Sequence, residues 1–299
     1  MSWIDRHLEG VSRTFALCIP LLPPPTDRAV GLAYLWMRVA DTFEDTTDAP
    51  LADRLAGLDA VSAWMKGDDR AAAVIAQAAS ALPGLPSTER ALLDDLPRLA
   101  SATRRLPDGA HGPVAATCAE MAEGMAAVLR SAPGGRVALP DLPALRAYCR
   151  LVAGIVGEML TELFLLDRPG LAPAAPTLRR HALAFGEALQ LVNILKDATT
   201  DARAHRRFVP PTLDRAVLFE LARADLREAE AYIDALRGAG APPGVVAFAD
   251  VPAQLAAATH AQVEAHGPGA TVSRAEVERI LAGARASLSE TRPPCPTPG

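Results

Sequence analysis

Aromatic residues are scarce in this chain of 299 residues, at 4%, although half of all its residues are hydrophobic. The apolar part of the sequence therefore consists mainly of alanine, leucine and valine, and the first two are strong helix formers. Segments in which β-branched residues alternate with polar ones at a period of two are also missing. The composition predicts an all-α fold.

Three further scarcities exclude classes of protein. The formal net charge is −5, without the concentrated basic surface of a nucleic-acid-binding protein, so no nucleic-acid partner is expected. The four cysteines form neither a CxxC metal motif nor a compact disulfide framework. No run of about 18 apolar residues predicts a membrane-spanning helix, and the first residues do not resemble a signal peptide. We expect a cytoplasmic protein with reduced thiols, for which a peripheral membrane contact stays open.

Clusters of proline and glycine divide the chain into blocks of roughly 15–30 residues that are compatible with helix. We predict helices near residues 27–45, 51–66, 70–82, 87–104, 112–131, 140–166, 177–205, 214–238, 246–266 and 273–288. No break is large enough to separate two domains, and no repeat recurs at a fixed period. Residues 1–292 are therefore expected to form one helical domain, and residues 293–299 a disordered tail.

Two acidic clusters occur within the predicted helices. In the first, Asp41 and Asp45 are four residues apart and Glu44 lies on nearly the same face, so their like charges repel one another. The second is a stripe at i, i+4 and i+8, made of Asn193, Asp197 and Asp201. A cation would remove the repulsion, and hard oxygen ligands of this kind suit Mg²⁺, which often also binds substrate phosphates.

An isolated acidic pair at this spacing is most often a solvated helix face, so the two clusters need further support. Both lie in otherwise apolar sequence, where an unpaired charge is expensive. Each also has a cation nearby, Arg38 in the first cluster and Lys196 in the second. We therefore predict that two facing helices form a site for Mg²⁺ ions and a diphosphate.

Five segments resemble motifs of the squalene and phytoene synthase family, in the same order along the chain. Val11–Ala16 is similar to the N-terminal Ser-Arg-x-Phe element, and Ala33–Asp45 to the first aspartate-rich motif with its preceding Tyr and Arg. Tyr148–Gly157 resembles the Tyr-Cys-x-x-Val-Ala-Gly-x-Val-Gly signature. Gln190–Asp201 matches the second aspartate-rich motif, and Arg203–Pro210 the basic stretch after it. The residues of these motifs resemble those of bacterial squalene synthases or their hopanoid-pathway relatives more closely than those of plant phytoene synthases.

The resemblance implies a class I isoprenoid synthase fold, a single-domain helical bundle around a central apolar cavity. The implied Mg²⁺ ligands are Asp41, Glu44, Asp45, Asn193, Asp197 and Asp201. The implied diphosphate-binding residues are Ser12, Arg13, Arg38, Lys196 and Arg206. Tyr148 would be the catalytic tyrosine, acting together with Asp41, Asp45, Asp197 and Asp201. Substrate contacts are expected from Phe15, Tyr34, Leu151, Val152 and Gln190. Further candidates for the cavity wall are Val156, Leu160, Phe164, Leu189 and Val192.

The implied reaction is a Mg²⁺-dependent, head-to-head condensation of two farnesyl diphosphates through a cyclopropyl diphosphate to squalene or a related C30 product. Use of NADPH stays open. The sequence departs from the family pattern at Thr200, where Glu is frequent, at Lys196, where Arg is usual, and at Phe208, where Tyr is common. The alternatives are therefore a phytoene synthase, a presqualene diphosphate synthase or a class I terpene cyclase. A catalytically inactive helical binding subunit is an alternative of another class.

Overall fold

The computed structural model describes residues 2–12 and 14–290, and these residues form fourteen α-helices and no β-strand. The helices are α1 (Trp3–Val11), α2 (Phe15–Cys18), α3 (Thr26–Asp45), α4 (Leu51–Met65), α5 (Ala71–Ser80), α6 (Ser87–Asp94), α7 (Leu96–Thr103), α8 (Asp108–Ser131), α9 (Leu142–Cys149), α10 (Ile155–Asp167), α11 (Ala175–Arg203), α12 (Arg215–Gly238), α13 (Pro243–His266) and α14 (Arg274–Glu290). A π-helical turn, Arg150–Gly154, joins α9 to α10. The predicted all-α fold is confirmed.

The predicted helices agree with the structure except where a segment changes its helical register. The segment 87–104 is divided into α6 and α7 at Asp95, and the segment 140–166 is interrupted by the π-helical turn. The short helices α1 and α2 were not predicted. The predicted tail, residues 293–299, lies outside the described residues.

The long helix α11 packs against α10, α12 and α13, while α8 packs against α3, α4 and α10. Two glycines bring α11 unusually close to the segment around the π-helical turn. A Cβ atom at Gly157 would lie 2.0 Å from the carbonyl oxygen of Ala182, and one at Gly186 would lie 2.1 Å from that of Ala153. Only a residue without a side chain fits at either position. This contact fixes one wall of a cavity whose opposite wall is α3.

The described cysteines are consistent with the expectation of reduced thiols. Cys18, Cys118 and Cys149 are free and buried, and burial raises the pKa of each thiol to about 12. Thiols with such a high pKa are poor nucleophiles, so they act here as small apolar core residues. Within residues 2–12 and 14–290, no helix combines the length and the apolar character needed to cross a membrane.

Candidate active site

Two adjoining chambers lie between α3, α11 and the segment formed by α9, the π-helical turn and α10. The outer chamber has a volume of about 470 Å³ and a mainly polar lining, and the inner chamber has a volume of about 280 Å³ and a mainly apolar lining. Residues that line both chambers are Phe15, Tyr34, Arg38, Asp41, Val152, Gln190 and Asn193. The shared lining joins a polar entrance directly to an apolar interior.

The structure brings nearly all of the predicted polar residues together in the outer chamber. Its lining includes Ser12, Arg38, Asp41, Glu44, Asp45, Tyr148, Gln190, Asn193, Lys196, Asp197, Asp201 and Arg206. Arg13 lies outside the described residues. Although the two aspartate-rich motifs are about 150 residues apart in sequence, they face each other across this chamber from α3 and α11.

The first acidic cluster occupies the last turns of α3. Arg38 donates from Nη1 to Asp41 at 3.1 Å and from Nη2 to Glu89 of α6 at 3.0 Å. Its Nε atom is buried and finds no acceptor among the described residues. Burial raises the pKa of Asp41 to about 6, although the positive charge of Arg38 acts in the opposite direction. The Arg38 guanidinium is therefore held at the chamber wall with its Nε donor unused.

The second cluster lies near the C-terminal end of α11. Lys196 is 3.2 Å from a carboxylate oxygen of Asp197, and Asp201 accepts a hydrogen bond from Arg206 at 2.8 Å. Burial raises the pKa of Asp201, which the neighbouring Arg206 partly opposes. Of the three arginines in the basic stretch that begins at the end of α11, only Arg206 lines the chamber, while Arg203 and Arg207 are exposed.

Tyr148 and Glu44 form a buried pair at the side of the outer chamber. The Tyr148 hydroxyl donates to the two carboxylate oxygens of Glu44, at 3.1 and 3.3 Å, and its ring stacks on Phe208 with 4.8 Å between centroids. Burial raises the pKa of Glu44 to about 8, and the charges of Asp45 and Asp41 add to this rise. Burial also raises the pKa of Tyr148 well above its usual value. This pair can therefore hold a proton at neutral pH.

No three described His, Cys, Asp or Glu side chains are close enough together to form a ready-made metal cluster. Four of the six candidate ligands are instead paired with cations, in the pairs Asp41–Arg38, Asp197–Lys196, Asp45–Arg206 and Asp201–Arg206. Mg²⁺ usually binds through one or two carboxylates together with substrate phosphates, and does not require a closed protein cage. A chamber lined by so many oxygen donors therefore fits Mg²⁺ that is bound together with a diphosphate.

The inner chamber contains most of the predicted apolar wall. Val152, Val156, Leu160 and Leu189 line it, together with Phe15 and Tyr34, whose rings lie 5.4 Å apart. Three other predicted wall residues lie elsewhere. Leu151 packs into the space above Gly124 of α8, because the π-helical turn directs it away from the cavity. Phe164 and Val192 are buried in the core and line neither chamber.

Two residues next to the site were not found from the sequence. Arg54 of α4 is almost fully buried, and its guanidinium donates to the backbone carbonyls of Phe43 and Glu44 at the end of α3 and of Gly135. Glu89 holds Arg38, as described above. Neither belongs to a motif, and only their tertiary contacts reveal them. His260 of α13 is buried and makes a 3.0 Å hydrogen bond with the carbonyl oxygen of Phe219, away from both chambers.

The sequence profile described as squalene/phytoene synthase matches residues 8–281, so the chain belongs to the squalene/phytoene synthase family. A probable squalene synthase of Neurospora crassa is 29% identical over 219 residues, which cover 70% of this chain and 41% of that protein. The chloroplastic phytoene synthase 3 of Zea mays is 28% identical over 230 residues, which cover 76% of this chain and 46% of that one. The chain thus spans less than half of the length of these two relatives.

Solved structures share the fold. TcSQS in complex with the ligand E5700 is 24% identical, with a TM-score of 0.74, and the match covers 96% of this chain and 88% of that one. A dehydrosqualene synthase in complex with a ligand is 18% identical, with a TM-score of 0.56, and the match covers 96% of each chain. The predicted helical bundle of this family is thereby confirmed.

Proposed function

We propose that this protein is a cytoplasmic prenyltransferase that condenses two farnesyl diphosphates head to head, through presqualene diphosphate, to squalene or a related C30 product. One observation carries the proposal: the polar chamber with both aspartate-rich motifs joins directly to an apolar chamber. The diphosphate of a prenyl substrate needs the first environment, and its hydrocarbon chain needs the second. Membership of the family supports the same reaction class.

The cationic side chains of the outer chamber are suited to bind a diphosphate. Arg38 and Arg206 each keep a buried Nε donor that no described residue accepts. Arginine binds phosphate oxygens in pairs, whereas Lys196 offers a point charge. Mg²⁺, if bound at the carboxylates, would stabilise the negative charge that develops on the departing diphosphate. These residues would orient the diphosphate so that its bond to the allylic carbon can break.

Tyr148 is the candidate for moving a proton. Its hydroxyl lies at the outer chamber, and the Glu44 carboxyl holds it in place. Loss of a proton from the carbon skeleton must accompany closure of the cyclopropane ring. The neutral Tyr148 hydroxyl could relay this proton, because its oxygen can accept the proton from carbon while its own proton passes to the departing diphosphate. Stacking on Phe208 keeps the ring from rotating. The apolar inner chamber would keep water away from the carbocation.

The inner chamber is long enough for one farnesyl chain. Its lining on α3 extends from Asp41 to Val30, which corresponds to about 16 Å along the helix axis. An extended chain advances by about 3.5 Å for every three bonds, so a farnesyl chain is about 14 Å long and a geranylgeranyl chain about 18 Å. A C30 product is nearly insoluble in water, so we include a transient membrane contact in the proposal. Leu17, which is 41% exposed and close in sequence to Phe15, is a candidate apolar residue for this membrane contact.

The test is an incubation of the purified protein with farnesyl diphosphate and Mg²⁺, with and without NADPH, and a parallel incubation with geranylgeranyl diphosphate. All organic products are identified by mass spectrometry. We expect squalene with NADPH, and presqualene diphosphate or a C30 alcohol without it. Asp197→Asn should lower turnover by about 100-fold, as the loss of one transition-state contact typically does. Asp94→Asn, which removes an exposed carboxylate on α6, serves as the matched control and should leave turnover unchanged.

The other outcomes replace the proposal with a named alternative. Presqualene diphosphate as the end product even with NADPH would indicate a presqualene diphosphate synthase, and phytoene from the longer substrate a phytoene synthase. A cyclised C15 hydrocarbon would indicate a terpene cyclase. If neither diphosphate is converted and inorganic pyrophosphate does not bind in the presence of Mg²⁺, the protein is a catalytically inactive helical subunit.

A further inference from the structure

Arg206 bridges the two aspartate-rich motifs. Its Nη1 atom contacts a carboxylate oxygen of Asp45 at the end of α3, and its Nη2 atom donates to Asp201 of α11 at 2.8 Å. Both carboxylates belong to the candidate metal ligands. A single guanidinium therefore lies between two residues that would otherwise repel each other across the chamber.

The backbone around Arg206 holds it in this position. His205 adopts a left-handed conformation with φ of 58°, and the N–H of Arg206 donates to the carbonyl oxygen of Asp201 at 2.8 Å. Arg207 then pairs with the segment 137–139, donating to Val137 at 2.8 Å and accepting from Leu139 at 2.9 Å. The turn is thus fixed on both sides of Arg206. The side chains of Arg206 and Asp201 are 16% and 12% exposed, so the contact between them is largely shielded from solvent, whereas Asp45 is 47% exposed.

The Nε donor of Arg206 remains unused in this arrangement. The Nε atom is buried and has no acceptor among the described residues, while the guanidinium carbon lies 5.9 Å from the centre of the Phe208 ring. A buried donor without a partner costs free energy, and an incoming anion that accepts its hydrogen bond would remove this cost. The guanidinium therefore has carboxylate partners for its two Nη atoms and, in its Nε atom, a donor left for a further ligand.

We propose that Arg206 is a built-in counter-cation that couples metal binding to diphosphate binding in this site. This inference rests on the proposed function. Without ligands, Arg206 neutralises Asp45 and Asp201. Mg²⁺ alone must compete with the guanidinium for these carboxylates, and a diphosphate alone meets their negative charge. When both are present, the metal takes the carboxylates and the diphosphate takes Arg206, so each ligand favours binding of the other.

The proposal and a role of Arg206 as a simple diphosphate ligand predict different effects of its removal on the binding of Mg²⁺ alone. Removing a simple ligand would weaken diphosphate binding and leave the binding of Mg²⁺ alone unchanged. Removing a competing cation must instead tighten the binding of Mg²⁺ alone. Arg206→Lys separates the bridge from the net charge, because lysine keeps the charge but, as a compact point charge, cannot span two carboxylates as the planar fork does.

The experiment is isothermal titration calorimetry with Mg²⁺ alone and with preformed magnesium pyrophosphate. The proteins are the wild type, Arg206→Gln, Arg206→Lys and, as matched control, Arg203→Gln, which removes an exposed arginine three residues away. Thermal unfolding confirms that each variant is folded. For both Arg206 variants we expect Mg²⁺ alone to bind at least about 5-fold more tightly, in the range typical of coupled sites. Magnesium pyrophosphate should bind at least about 10-fold more weakly to Arg206→Gln, while Arg203→Gln behaves as the wild type.

Unchanged or weaker binding of Mg²⁺ alone by Arg206→Gln would show that Arg206 is a diphosphate ligand without a coupling role. Tighter binding by Arg206→Gln but not by Arg206→Lys would show that only net charge matters, and would overturn the bridge. If the wild type binds no magnesium pyrophosphate at all, the proposed function itself fails. If the wild type binds it but the Arg206 variants leave Mg²⁺ binding unaltered, only the coupling proposal fails.

Discussion

Replacing Arg54 with methionine should lower the free energy of unfolding by about 3 kcal/mol, because its guanidinium donates to buried backbone carbonyls and not to a carboxylate. The side chain is 2% exposed, and no carboxylate oxygen of a described Asp or Glu lies within 4.0 Å of its nitrogen atoms. Two of the carbonyls, those of Phe43 and Glu44, belong to the last turn of α3, which carries the first acidic cluster. The third is that of Gly135.

The magnitude follows from two opposing contributions. Each buried carbonyl that loses its donor costs about 1–3 kcal/mol, so three of them cost roughly 3–9 kcal/mol if no water replaces the guanidinium. Removing a buried charge that lacks a carboxylate partner returns part of this amount, and methionine fills much of the vacated space. A net loss of about 3 kcal/mol is the expected balance. Because the acidic cluster lies in the affected turn, binding of magnesium pyrophosphate should weaken as well.

Urea denaturation measures the first effect and calorimetry the second. The matched control is Arg130→Met on α8. It breaks an exposed ion pair with Asp59 of α4, the helix that also carries Arg54, and should lower the free energy of unfolding by less than about 1 kcal/mol. Arg54→Lys keeps the charge but has fewer directed donors, so its loss in free energy of unfolding should lie between those of Arg130→Met and Arg54→Met. A loss for Arg54→Met that is no larger than that of Arg130→Met would refute the assigned role of Arg54 in holding the end of α3.

Three further predictions concern packing, pH and catalysis. Gly157→Ala should lower the free energy of unfolding by about 3 kcal/mol in thermal denaturation, because its Cβ would meet a backbone carbonyl, whereas Gly112→Ala, with open space around it, should raise it by about 0.5 kcal/mol. In EDTA, the Tm of the wild type should fall relative to that of Glu44→Gln as the pH rises from 4.5 to about 8, because Glu44 in the folded protein keeps a proton that the unfolded chain releases. Parallel pH profiles of Tm for the two proteins would contradict this. Tyr148→Phe keeps the stack on Phe208 and should lower kcat by about 100-fold with little change in KM, and steady-state kinetics in which KM rises at unchanged kcat would point to a role in binding alone.

The sequence was sufficient to predict most of the helices, because proline and glycine clusters separate them. The short helix α1 shows what was overlooked. Ser2 and Asp5 form a reciprocal capping box at its start, and Ile4 and Leu8 are buried, so both a capping signal and an apolar spacing were present. Nine residues are too few to form a stable helix alone, and α1 depends on packing against α3 and α6.

The polar half of the candidate site could be predicted for a different reason. Spacing of i and i+4 places side chains on one helix face whatever the fold, so both acidic clusters keep their arrangement in the structure. Pairing between distant segments could not be predicted in this way. Arg54 beneath α3, Glu89 beside Arg38 and the bridge formed by Arg206 all arise from tertiary packing.

The π-helical turn Arg150–Gly154 makes this segment intolerant of a change in length. It allows Tyr148 and Val152 both to line the outer chamber while Leu151 faces Gly124. One residue inserted or deleted here would rotate everything before it by about 100° relative to α10. An insertion or deletion in this turn would therefore separate Tyr148 from Glu44.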